Sequence, residues 1–294
     1  MTLQDFEAVR QLRASDPEAI RRALINRRRR PLLLGDSRLL ILAADHPARG
    51  ALGVGDDEMA MSDRYDLLRR LAEGLDNPRV DGFLGTADLV EDLALMGALE
   101  NKIVVGSMNR GGLKAAVFEM DDRFTAYDLD TIGNLGLDFA KLLLRINLDD
   151  AGSVQTLHTA AEIITRAAEE KLPLMIEPFM SEWSAGSIKN DLSPDAVIKS
   201  VAIASALGAS SAYSWLKLPV VSEMERVMRS TTLPTLLLGG DPALEPVEIY
   251  RSWANALSLP GVRGLVAGRT LLYPPDGDVS GAVERAAELV HGGA

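Results

Sequence analysis

The sequence predicts an α/β protein, a (β/α)8 TIM barrel with an N-terminal helical extension, and three observations lead there. Short apolar runs rich in Leu, Ile and Val alternate along the chain with longer amphipathic helical segments. Eight strand–helix units within about 250 residues is the arithmetic of such a barrel. No G-x-G-x-x-G follows a first strand, which argues against the competing doubly wound open sheet. No linker-like or low-complexity stretch divides the 294 residues, so 1–294 is expected to be one domain.

The elements follow in order. Residues 1–30 form the extension: 3–27 read as helical, with Ser15-Asp16-Pro17-Glu18 as a break and N-cap before Ala19–Ile25. The basic run Arg27–Arg30 reads as a solvated helix end complementing the C-terminal dipole. Pro31–Leu34 and Leu39–Ala44 flank Gly35-Asp36-Ser37-Arg38, which predicts a hairpin feeding the first core strand. Strands are expected at Leu39–Ala44, Gly82–Leu84, Ile103–Val105, Phe139–Arg145, Leu174–Glu177, Ala212–Leu218, Thr235–Leu238 and Gly264–Ala267. Helices fall between them near 60–75, 87–98, 152–170, 194–207, 221–229, 244–257 and 278–291. The segment 108–136 is long for one connection and is expected to carry an extra strand pair or helix over the barrel mouth.

Composition narrows the function. A net charge of −11 argues against a nucleic-acid partner, whose phosphates would be repelled. The absence of cysteine rules out disulfides, thiolate nucleophiles and zinc–sulfur sites. No apolar run approaches the roughly 18 residues of a membrane span, and the mixed-charge, amphipathic N-terminus is unlike a secretory signal. A cytoplasmic protein with no membrane partner is expected.

In such a barrel the chemistry gathers where strands run into their βα loops, and here those ends are polar. The first strand closes with Asp45-His46, the third with Gly106-Ser107-Met108-Asn109-Arg110, the fifth with Glu177 and the sixth with Lys217. Lys141 and Arg145 sit four apart on the fourth strand, on the face of Leu143. The seventh strand runs into Gly239-Gly240-Asp241 and the eighth into Gly268-Arg269. Taken singly, each has a structural reading: Asp45 as an N-cap, Gly239-Gly240 as a tight turn, Glu177 and Lys141 as an ion pair. Their convergence on one mouth favours chemistry. Two lysines beside two carboxylates let one amine be neutral while a carboxylate shuttles protons.

In Ser211–Pro219, Tyr213, Trp215 and Lys217 share one strand face. A buried lysine with a lowered pKa is a Schiff-base nucleophile. Backbone N–H groups of Gly239, Gly240 and Gly268 could cradle a phosphate, and Arg269 could add a bidentate contact. Metal chemistry is poorly supplied: the histidines are His46, His158 and His291, although a magnesium site of Asp45, Glu177 and Asp241 stays open.

This pattern, from Ala43-Ala44-Asp45-His46-Pro47 to Ala267-Gly268-Arg269-Thr270, resembles the class I, Schiff-base aldolases of the DeoC/LacD type. The resemblance is nearest to their tagatose-bisphosphate and fructose-bisphosphate branch. It implies Lys217 as the Schiff-base nucleophile and Glu177 as general acid/base. Lys141 would be the electrostatic partner that lowers the amine's pKa, and Asp45 the group handling a substrate hydroxyl. Gly239, Gly240, Gly268 and Arg269 would hold a phosphate. His46 would stand beside the site, hydrogen-bonding substrate or packing against its loop.

The flank Ser214-Trp215-Leu216-Lys217-Leu218-Pro219 is bulkier than is usual in these aldolases. Arg145 and Arg110 add cations suited to a carboxylate or sulfonate besides the phosphate. The implied reaction is reversible retro-aldol cleavage of a phosphorylated ketose or keto-sugar acid, with 2-deoxy-5-keto-gluconate 6-phosphate as one candidate. It uses no metal and no cofactor, in a homo-oligomer. Two rival readings remain: a metal-assisted lyase or isomerase, and a non-catalytic sugar-phosphate-binding barrel.

Overall fold

Leu39–Ala43, the first core strand β1, is apolar throughout and buried along its length, as befits a parallel strand covered on both faces. The computed structural model describes residues 3–109, 112–239 and 246–292. Beyond β1 its strands are β2 (Gly82–Gly85), β3 (Ile103–Ser107), β4 (Phe139–Ile146), β5 (Leu174–Ser184), β6 (Ser187–Asn190), β7 (Ser214–Leu218), β8 (Thr235–Leu238) and β9 (Val262–Ala267). All pairings are parallel except β5–β6, and the order β4-β3-β2-β1-β9-β8-β7-β5 closes through β4–β5. Eight parallel strands closed in a ring make the expected (β/α)8 barrel.

Helices α1 (Leu3–Ser15) and α2 (Glu18–Asn26) precede the barrel. Around it run α3 (Arg64–Asp76), α4 (Ala87–Leu95), α5 (Leu129–Asn134), α6 (Gly152–Glu169), α7 (Pro194–Ser205), α8 (Met224–Met228), α9 (Pro246–Leu257), α10 (Arg269–Leu272) and α11 (Val279–His291). Their starts are read locally: Ser193 accepts from the Ala196 N–H with Pro194 behind it, and Asp63 and Asp278 cap α3 and α11 in the same way.

Strand alternation sorts the interior from the outer layer. Leu39, Ile41, Ala43, Leu84, Ile103, Val105, Phe139, Met175, Trp215, Leu236 and Val266 pack inside the barrel, with Phe139 and Trp215 edge to face at 5.6 Å. Their neighbours Leu40, Leu42, Val104, Leu142, Ile176 and Leu216 face the helices. Two positions further along the inward face come Asp45 after Ala43, Lys141 after Phe139, Glu177 after Met175 and Lys217 after Trp215. The period of two therefore stacks a polar layer on an apolar one.

Two expectations are corrected, and a third is met in one of its two forms. No strand forms at Pro31–Leu34, because both edges of β1 are taken by β2 and β9 and leave no edge for a hairpin partner. Arg27–Arg30 is not a solvated helix end. Buried Arg27 lies 2.6 Å from Asp138, Arg29 pairs with the same carboxylate, Arg28 with Glu100 and Arg30 with Asp81. Asp81 and Asp138 also accept from the Leu40 and Val104 N–H groups, so the run clamps the extension to the barrel floor. Segment 108–136 carries the helix of that expectation, α5, and one Asn109–Phe124 bridge, with no strand pair among the described residues.

A hairpin over the mouth, β5–β6, was not foreseen. It turns at Ala185-Gly186, both with positive φ (51° and 83°), the geometry of a tight two-residue hairpin turn.

Candidate active site

At the C-terminal mouth of the barrel three buried side chains, Lys141, Glu177 and Lys217, and the part-buried Asp45 form one chain of alternating charge. Lys141 Nζ on β4 donates to Asp45 Oδ2 at 2.9 Å and lies 2.6 Å from Glu177 Oε2. Lys217 Nζ on β7 donates to Glu177 Oε1 at 2.6 Å. Strand order explains the contacts, since β4 and β7 both flank β5, which carries Glu177 between the two amines. The four residues expected from the sequence to do chemistry are thus brought together. Removing four charges from water is costly, and this mutual pairing offsets it.

The electrostatics follow from that geometry. Burial disfavours the Glu177 carboxylate, yet Lys141 and Lys217 outweigh it and bring its pKa down to about 2. Burial opposes the Asp45 charge too, and Lys141, then His46 and Lys217, hold it well below the usual carboxylate range. For Lys141 burial is outweighed by Asp45 and Glu177, so its pKa is raised and it stays cationic. The next residue on the β1 loop behaves differently. His46 is pulled down to about 3, chiefly by burial, which the nearby Asp45 opposes and Arg269, Arg49 and Lys217 reinforce.

These residues line a cleft of about 540 Å³ together with Arg49, Lys114, Glu119, Leu143, Phe179, Lys189, Leu238 and Arg269. The rim is built by the two segments that arch over the mouth. Glu119 Oε2 accepts from the Ala115 N–H at 2.9 Å and the Ile188 N–H at 3.4 Å, joining the 108–136 segment to the β5–β6 hairpin. Lys114 and Lys189 flank those two amides. Neither they nor Arg49 was expected in the site; they sit on loops whose course over the mouth no local pattern reveals.

Other expected ligands are placed differently. Arg145 shares the inward face of β4 with Lys141, as alternation predicts, and lines the same cleft, with its guanidinium already paired. Its Nη2 donates to Asp122 Oδ1 at 2.7 Å and to the Glu119 carbonyl, and Nη1 lies 3.8 Å from the Glu119 carboxylate. Asp122 is fully buried there, and burial raises its pKa against the pull of Arg145. Arg145 is therefore an anchor for the 108–136 segment. Asn109 helps, bridging the Leu143 N–H and carbonyl to the Asp122 carbonyl.

Gly239 is corrected as well: its N–H donates to the Val266 carbonyl at 2.9 Å and serves the barrel, not an anion. Gly268 leads into α10 beside Arg269. A Cβ there would stand 2.3 Å from the Ala43 carbonyl oxygen, so close packing on β1 requires glycine. Arg110, Gly240 and Asp241 lie outside the described residues. Among the described residues, no group of three His, Asp or Glu side chains is arranged to hold a metal ion, and no helix is long and apolar enough to cross a membrane.

Residues 37–287 match the Cgl0159-like family, and the chain belongs to that family. Its sequence matches none of the curated proteins significantly. Among solved structures it is similar to Cgl0159 from Corynebacterium glutamicum (Brevibacterium flavum), with 58% identity and a TM-score of 0.96 over 99% of this chain and 98% of that one. An archaeal fructose-1,6-bisphosphate aldolase, solved with its catalytic Lys covalently bound to the carbinolamine intermediate of the substrate, is 18% identical, with a TM-score of 0.66 over 93% of this chain and 100% of that one. The fructose-bisphosphate aldolase from Slackia heliotrinireducens is 16% identical, with a TM-score of 0.60 over 87% and 86%. At those identities the two aldolases share the fold, a class I aldolase-like barrel.

Proposed function

We propose that this member of the Cgl0159-like family is a class I aldolase that cleaves a phosphorylated ketose or keto-sugar acid reversibly through a Schiff base on Lys217. The observation that carries the reading is the Asp45–Lys141–Glu177–Lys217 chain at the mouth of the barrel. The likeness in fold to an aldolase solved with a lysine-bound carbinolamine supports it.

Lys217 must lose a proton to attack a carbonyl carbon, and Glu177 Oε1 at 2.6 Å is placed to accept it. Attack forms the C–N bond of a carbinolamine. Return of the proton to its oxygen releases water and leaves an iminium ion. In 2-ketose numbering, the iminium then takes up the electron pair of the C3–C4 bond as the C4 hydroxyl loses its proton; in a 5-keto acid the same bond breaks and the C3 hydroxyl loses the proton. An aldehyde departs, and Glu177 reprotonates the resulting enamine before hydrolysis frees the amine. Lys141 stays cationic throughout, holding Asp45 and Glu177 in place.

Arg269 and the Gly268 backbone are the proposed phosphate contacts, in a cleft whose volume suits a small open-chain sugar phosphate. A substrate such as 2-deoxy-5-keto-gluconate 6-phosphate, with a carboxylate as well, would place its second anion among Arg49, Lys114 and Lys189. The rival magnesium site is disfavoured on geometry, because the Lys141 ammonium already occupies the position between Asp45 and Glu177 that a shared cation would need. The test is borohydride reduction in the presence of dihydroxyacetone phosphate, followed by peptide mass mapping. An adduct on Lys217 is expected and EDTA should not diminish it; no adduct with any carbonyl probe would overturn the reading.

A further inference from the structure

Retro-aldol cleavage needs a base for the C4 hydroxyl, and the cleft has few to offer. Both Asp45 and Glu177 are already bound to Lys141, and Glu177 to Lys217 as well. Glu119 is occupied by two backbone amides, and the Asp122 carboxylate by Arg145. Among the described residues, each of these carboxylates is thus already engaged by cations or N–H donors. His46 differs from them in geometry: it lines the same cleft with a ring nitrogen that has no hydrogen-bond partner.

Its geometry suits that task. His46 lines the cleft, and its Nδ1 is buried without a hydrogen-bond partner, 3.6 Å from Asp45 Oδ1. With its hydrogen on Nδ1, the imidazole aims that N–H at Asp45, whose other oxygen receives Lys141. Nε2 is then the nitrogen left with the lone pair. The Asp45 carboxylate beside the ring stabilises the imidazolium once it forms. The groups that face His46 are Asp45 and Arg49 on its own loop, Arg269 on α10 and Lys217 on β7. Burial chiefly, reinforced by the three cations and opposed by Asp45, keeps the ring neutral at rest.

We propose that His46 is a catalytic residue, the base that takes the C4-hydroxyl proton onto Nε2 as the C3–C4 bond breaks, with Asp45 as its positioning partner. This rests on the Schiff-base reading of Lys217. In the cleavage step the O–H bond breaks and an N–H bond forms at His46. The alkoxide electrons become the aldehyde C=O, and the C3–C4 pair moves into the enamine while the iminium is discharged. In the reverse direction the imidazolium returns the proton to the aldehyde oxygen. The role is separable from imine formation, which involves Lys217 and Glu177.

The experiment compares wild type with His46→Gln and His46→Asn in three assays. These are borohydride trapping on Lys217 with dihydroxyacetone phosphate, solvent-deuterium exchange at C3 of that probe, and aldol addition of the probe to a panel of two- to four-carbon aldehydes. The expected result is trapping and exchange within about threefold of wild type, with addition reduced about 10²-fold or more, the range of a lost general base. Addition at the wild-type rate by either variant would overturn the proposal. Loss of trapping in both variants would do so too, by making His46 a structural residue. Failure of wild type itself to trap or turn over any probe would instead remove the Lys217 reading, and this inference with it.

Discussion

Glu177 Oε1 lies 2.6 Å from Lys217 Nζ inside the barrel mouth, while its other oxygen lies 2.6 Å from Lys141. One carboxylate thus faces two amines that the sequence separates by 76 residues and the sheet places on either side of it. Replacing Glu177 with Gln removes the proton acceptor but keeps the side chain's size. Turnover should fall about 10²–10⁴-fold, and the rate of borohydride trapping on Lys217 should fall with it. Unchanged kinetics would remove Glu177 from the proposed proton transfers.

The two lysines should separate stability from chemistry. Lys217→Met leaves Glu177 still paired with Lys141, so the fold should survive while activity is abolished. Lys141→Met strips both Asp45 and Glu177 of a shared counter-ion in a site where Lys141 and Glu177 are buried and Asp45 is part-buried. Breaking a buried pair from one side costs about 3–5 kcal/mol. Denaturant unfolding should therefore show the larger loss for Lys141→Met, even though Lys217 is the proposed nucleophile.

What the sequence shows of this site is what strand alternation can carry. Asp45, Lys141, Glu177 and Lys217 each stand at a fixed offset from an apolar inward residue, so their convergence follows once the barrel is recognised. Arg145 shows the limit of that logic: its face was legible, its partner was not. Asp122 reaches it from a segment with little regular structure, and no periodicity announces that contact. Lys114 and Lys189 were hidden for the same reason, and β6 because its short polar strand Ser187–Asn190 has no buried face to leave an apolar pattern. Arg27–Arg30 misled because a run of like charge looks solvated until the acidic residues ahead of β2 and β4 are seen beneath it.

The Asp122–Arg145 contact predicts a measurable split. Asp122→Asn weakens the counter-ion of a buried guanidinium and should lower stability by up to about 3–5 kcal/mol. It should also loosen the segment carrying Lys114 and Glu119, raising KM for a phosphorylated probe more than it lowers the Lys217 trapping yield. Hydrogen exchange over residues 112–124 is the check: protection there should fall while the barrel strands keep theirs.

A pH effect on stability arises at the opposite end of the barrel. His291 Nδ1 is 2.7 Å from Asp36 Oδ2, and Nε2 is 3.2 Å from Asp81 Oδ2. Asp81 first, and Asp36 with it, raise the imidazole's pKa against the effect of burial. The folded chain therefore holds a proton that the unfolded chain releases near pH 6.5. That contribution is complete below pH 6.5 and lost as pH rises through the raised folded value. The melting temperature of wild type minus that of His291→Gln should shrink between pH 6 and 8; a constant difference would mean that His291 does not titrate in this window.

Gly239 and Gly268 look alike in sequence, each at the end of a barrel strand, and the structure assigns them opposite tolerances. A Cβ on Gly268 would meet the Ala43 carbonyl oxygen at 2.3 Å, backbone that cannot swing aside. Gly268→Ala should therefore destabilise by about 1–3 kcal/mol, the usual cost of overpacking. A Cβ on Gly239 would meet Ala267 at 3.4–3.5 Å, an ordinary contact, and the Gly239 N–H is already given to Val266. Gly239→Ala should thus leave both stability and KM near wild type. Arg269→Ala, by contrast, should raise KM for a phosphorylated probe about tenfold or more, the scale of a lost charge-assisted contact. If Gly239→Ala raised KM as much as Arg269→Ala, the anion would have to sit against β8, and the proposed Arg269 contact would move with it.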